Sequence, residues 1–121
     1  MTFENKFEGS VWHSAPVSDK PRVVLVDWHV FEVQLPNRAE RTRHFAGTKA
    51  QDGHGKASTA IVSFGPVARR GVTESGRVYE LEGSAGLEVN VAAAWDAWIR
   101  VNRATDVVDV TAEINKAMEQ K

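Results

Sequence analysis

The chain has 121 residues, 42% hydrophobic and 26% charged, with a formal net charge of −1. That length suits one domain with a single core, and the composition is that of a globular protein rather than a disordered one. No window approaches the roughly 18 consecutive apolar residues of a spanning helix, and the absence of cysteine excludes disulfides, thiolate nucleophiles and sulfur-ligated zinc.

The opening stretch "MTFENKFEGS" has no apolar run that would serve as a signal peptide, so the cytoplasm is the expected compartment. Charge is distributed unevenly along the chain. Residues 1–35 carry three basic and five acidic groups, residues 36–78 eight and three, and residues 79–121 four and eight. A basic middle with acidic flanks is the most informative charge feature.

From Arg22 to Leu35 the text "RVVLVDWHVFEVQL" is rich in β-branched and aromatic residues and reads as one long strand between Pro21 and Pro36. Val24, Val26, Trp28 and Val30 share one parity, and Phe31, Val33 and Leu35 share the other. Side chains alternate along a strand, so a switch near residue 30 requires a bulge or cover on both faces. Next, "RTRHFAGTKA" and "KASTAIVSF" flank "QDGHG" as a hairpin. A two-residue Asp52-Gly53 turn would oppose Lys49 and Lys56, an unfavourable pair. The preferred register uses "DGHG" as a four-residue loop and sets Thr48 opposite Thr59, Ala46 opposite Ile61 and Phe45 opposite Val62. Beyond Gly65-Pro66, "RRGVT" and "GRVYELE" form a second hairpin around "ESG".

After "GSAG" the period changes. Val91, Trp95, Trp98, Ile99 and Asn102 recur at helical spacing, so Asn90 to Arg103 reads as an amphipathic helix with Asn90 as N-cap. Its tryptophans are expected to pack on the sheet. A second helix begins at Val110, with Val110, Ile114, Ala117 and Met118 as its stripe and Asp109 as its cap. Strands first and helices last define a single α+β domain over residues 1–121: an antiparallel sheet of about five strands, followed by two C-terminal helices packed on one face.

Two Trp-His dipeptides, Trp12-His13 and Trp28-His29, raise the question of a metal site. Asp27 and His29 stand at i, i+2, about 6.7 Å apart along one strand face, and His13 or His44 from a neighbouring strand would extend the set. Any half-exposed strand shows that spacing, however. Alternation favours another arrangement, in which Trp12 and Trp28 are buried and His13 and His29 point away from the core and from each other.

"DGHGKAS" fails as a phosphate loop, because Ala50 and Ala57 stand where a glycine and a hydroxyl residue are needed and a strand follows. No serine lies in a Gly-x-Ser-x-Gly context, and Ser75 belongs to a turn. The residues therefore imply neither a cofactor nor a resident metal, and enzyme activity is the less favoured reading.

Six of the nine arginines lie between residues 38 and 77: Arg38, Arg41, Arg43, Arg69, Arg70 and Arg77. Guanidinium groups offer planar bidentate donors to carboxylate or phosphate, so on one face these six would make a binding surface.

The run "RHFAG", the segment "VSFGPVARRGVTESGRVYELEG" and the following Trp-containing helix, from Thr42 to Thr111, resemble short bacterial proteins of unknown function. The resemblance implies a bacterial cytosolic origin and carries over no functional residue. The reading favoured by the sequence is a non-enzymatic binding module whose arginine surface contacts an acidic protein or a second protomer. The alternatives are a nucleic-acid binder and a small metal-dependent enzyme using histidine and carboxylate.

Overall fold

The density of β-branched and aromatic residues between Pro21 and Pro36 produces one twelve-residue strand, β1 (Val23–Gln34). The computed structural model describes residues 22–86 and 88–119, so Trp12 and His13 lie outside the described residues. After β1 come β2 (Thr42–Lys49), β3 (Gly55–Ala57), β4 (Ile61–Gly65), β5 (Arg70–Thr73), β6 (Val78–Leu81), α1 (Val89–Asn102), β7 (Thr105–Asp109) and α2 (Thr111–Glu119).

β1 resolves its parity conflict by both expected devices. Its pairing with β2 runs from Val26↔Thr48 to His29↔Ala46, three residues against two, and Asp27 takes a φ of 48°. This is a bulge, placed at Asp27 rather than near residue 30. It brings Val23, Leu25, Trp28 and Val30 into one cluster. Beyond it, Phe31, Val33 and Leu35 belong to a second cluster, so the strand is covered on both faces. Trp28 is fully buried, and its indole Nε1 donates to the Gly83 carbonyl at 3.1 Å.

Among the described residues the sheet is mixed, not antiparallel throughout, and has seven strands rather than five. Its order is β3-β2-β1-β6-β5-β4, with β7 also paired to β1. One edge of β1 carries β2 along its length. The opposite edge is shared by β6, parallel at Val23–Leu25, and β7, antiparallel at Phe31–Gln34. The sheet curls, so that Phe45 of β2 lies 5.4 Å from Tyr79 and 6.0 Å from Phe64, ring centre to ring centre. Only glycine fits at position 71, where a Cβ would stand 2.6 Å from the Phe45 ring.

The hairpin after β2 forms in another register. Lys49 N donates to His54 O, and Thr48, Gly47 and Ala46 oppose Gly55, Lys56 and Ala57. β3 then stops after three residues. Ser58 turns the chain away, donating from its amide to Phe45 O and accepting the Phe45 amide on its Oγ, and Ile61 pairs with β5 instead of β2. The second hairpin forms around the "ESG" turn, with Val72 opposite Val78.

The two helices pack on opposite faces of the sheet, not on one. α1 sets Val91 and Trp95 against Phe31, Val33 and Ala46, while Val110 and α2 residues Ile114 and Met118 cover Leu25, Trp28 and Val30. The adjacent residues Val30 and Phe31 point to opposite sides, which is why one strand serves both helices. The α1 N-cap is Glu88 rather than Asn90, and Arg103 closes the helix in the left-handed conformation. Asp109 caps α2, its Oδ1 accepting from Thr111 N at 2.9 Å. Among the described residues no helix is long and apolar enough to cross a membrane.

Candidate functional site

Glu32 and Arg43 face each other across β1 and β2, on the side of the sheet that α2 covers. The Glu32 carboxylate accepts from Arg41 Nε at 2.7 Å and from Arg43 Nε at 3.0 Å. Arg43 also reaches α2, donating both terminal nitrogens to Glu113 at 2.8 and 3.2 Å. Arg38 holds Glu74 by two donors, each at 2.6 Å. These arginines line one cleft of about 460 Å³, together with Glu32, Glu40 and Glu74, over a floor of Val30, Phe45, Ile61, Phe64 and Ile114. Hydrogen bonds from Arg41 and then Arg43 hold the Glu32 carboxyl below its ordinary range, and Arg38 does the same for Glu74.

The other three arginines lie elsewhere. Arg69, at a φ of 58°, donates to the carbonyls of Leu81 and Gly83. Arg70 shares Glu80 with Arg22. Arg77 forms no ion pair among the described residues; burial, and then the charges of Arg77 and Lys49, lower the proton affinity of the Lys56 amine. Much of the basic middle is therefore met within the chain by acidic flanks: Glu32 from one side, Glu80 and Glu113 from the other. Such pairing leaves less basic surface for a nucleic acid than the sequence distribution promised.

Among the described residues His44 is the buried histidine, while His29 is half-buried and His54 exposed. Its Nδ1 donates to Ser58 O at 2.9 Å, and its Nε2 accepts from Thr42 Oγ1 at 2.7 Å. Trp98 lies 4.4 Å away, ring centre to ring centre. Burial pushes the imidazole pKa down, so its conjugate acid is disfavoured, and the Ser58 carbonyl, which can only accept, fixes the neutral tautomer protonated at Nδ1. His29 stacks on Phe31 at 5.6 Å and stands 3.4 Å from Asp109. The bulge at Asp27 breaks the alternation that a shared Asp27-His29 face requires. Among the described residues no group of three histidines or carboxylates is placed to hold a metal ion.

Sequence reasoning missed the glutamates and the apolar floor. Glu32 had a local signal, since it interrupts the apolar residues of β1 two positions after Val30. Glu74 and Glu113 had none, because their partners come from remote elements. No protein-family model matches the chain, and no curated protein or solved structure shows significant similarity to it.

Proposed function

We propose that the protein is a non-enzymatic binding module that receives an acidic, partly apolar segment of a protein partner in the cleft beside Arg38. The observation supporting this reading is the convergence of Arg38, Arg41 and Arg43 at the mouth of an apolar-floored cleft. Burying an apolar side chain on that floor contributes roughly 25 cal/mol per Å². A neighbouring carboxylate exchanges with Glu74 for Arg38, an ion pair half open to solvent and of a kind worth only about 0–1 kcal/mol. Arg41 and Arg43 remain on Glu32 and keep the mouth in shape.

Heteronuclear NMR titration with N-acetyl-Glu-Leu-amide and N-acetyl-Lys-Leu-amide tests this. The acidic probe is expected to shift the resonances of Arg38, Arg43, Phe45 and Phe64, and the basic probe to leave them in place. Arg38→Glu should weaken the acidic probe by about tenfold or more, while Arg70→Glu, outside the cleft, leaves its binding unchanged. An equal response to both probes, or none to either, removes the reading.

A further inference from the structure

Two edges of the sheet carry surfaces that complement each other. β3 ends the strand order, so among the described residues one of its edges has no neighbouring strand. Beside it runs a groove of about 330 Å³, lined by Ala94, Ala97, Trp98 and Val101 of α1 and by Lys56 of β3. Val101 is 81% exposed. Lys56 has no carboxylate at ion-pair distance among the described residues. Among the described residues the groove is therefore apolar, with the Lys56 cation on its wall met by no carboxylate.

β7 has the opposite character. Every residue from Thr105 to Asp109 is exposed, and among the described residues the strand pairs only with β1. It presents Val107 and Val108, 40% and 48% exposed, between Asp106 and Asp109. A short strand with one unpaired edge and exposed branched side chains is a template for strand addition.

We propose that the chain associates head to tail, the β7 edge of one copy entering the β3–α1 groove of the next. The valines then cover Trp98 and Val101, and Asp106 approaches Lys56. A second copy is the favoured occupant because both halves of the contact, apolar and of opposite charge, are present on this chain. The two surfaces belong to different edges, so the contact is heterologous: it propagates or closes as a ring instead of forming a two-fold dimer. This association is independent of the arginine cleft.

Sedimentation velocity at low ionic strength, from about 5 μM to about 1 mM, tests it across the range of weak interfaces. The wild type should grow from the 13.3 kDa monomer to larger species with concentration, and added salt should reverse this. Lys56→Glu or Ala97→Glu on the groove, and Val108→Glu on the strand, should each hold the protein monomeric with an unchanged circular dichroism spectrum. An equimolar mixture of Lys56→Glu and Val108→Glu retains one intact contact, so it should form a one-to-one complex that grows no further. A wild type that stays monomeric, assembly that survives these substitutions, or a mixture that fails to pair overturns the proposal.

Discussion

Glu32 binds two guanidinium groups with a single carboxylate, and its loss would leave both Arg41 and Arg43 short of a partner. Glu32→Gln is expected to lower unfolding free energy by about 1–3 kcal/mol at neutral pH, measured by urea denaturation. The folded carboxyl titrates below its ordinary value of 4.5, so the unfolded chain takes up this proton first on acidification. The stability it contributes is whole above that value and disappears as the pH falls through the lower folded one. The variant should therefore lose less stability than the wild type on acidification through that range. His44 acts at milder pH with the same sign. Its folded pKa is depressed below 6.5 by burial, so stability declines as pH falls from that value, and the wild-type Tm should drop between about pH 7.5 and pH 5.5. His44→Gln should flatten that step; an unchanged slope would refute the assignment. Trp95 offers a different case: its indole nitrogen is buried without a hydrogen-bond partner among the described residues, while its ring stacks on Phe31 and Trp98 at 4.6 and 4.9 Å. Trp95→Phe removes an unsatisfied donor and keeps an aromatic ring, so it should cost less than Trp95→Leu in the same denaturation assay.

Among the elements, β1 depends on one unusual backbone conformation. Asp27 sits at positive φ, where a β-branched side chain is strongly disfavoured. Asp27→Val is expected to destabilise by about 1–3 kcal/mol, whereas Asp27→Gly should be neutral or stabilising. β1 itself, the "ESG" hairpin, α1 and α2 were legible in the sequence, because each is written in local periodicity: branched residues for β1, a turn between short strands for the hairpin, and i, i+4, i+7 recurrence for the helices. The parity switch between Val30 and Phe31 also announced cover on both faces. β7 was not legible. Its sequence "TDVVD" lacks alternation because no layer among the described residues covers it, and among them it is a strand by pairing with β1. The parallel β1–β6 pairing and the separation of the two helices were hidden for the same reason, since both depend on partners remote in sequence. Of the candidate site, the arginines could be read as a block, but only the fold distinguishes the three in the cleft from Arg69, Arg70 and Arg77.

For the whole molecule, the basic middle and acidic flanks neutralise each other internally through Arg41 and Arg43 with Glu32, Arg43 with Glu113, and Arg70 with Glu80. The protein should therefore elute from immobilised heparin at low salt, and Glu74→Gln combined with Glu113→Gln should raise the salt needed for elution. Strong retention of the wild type at about 0.15 M salt would show a basic face that internal pairing does not cover. The sharing of one β1 edge by β6 and β7 has a further consequence during synthesis. β1 and β2 are neighbours in the chain and can pair as soon as both are made, but the Phe31–Gln34 half of the other edge waits for Thr105–Asp109, which begins 71 residues beyond Gln34. At about 5–20 residues per second, the nascent chain spends several seconds with its central strand half unpaired. A chaperone that binds exposed strands would have that interval in which to engage it.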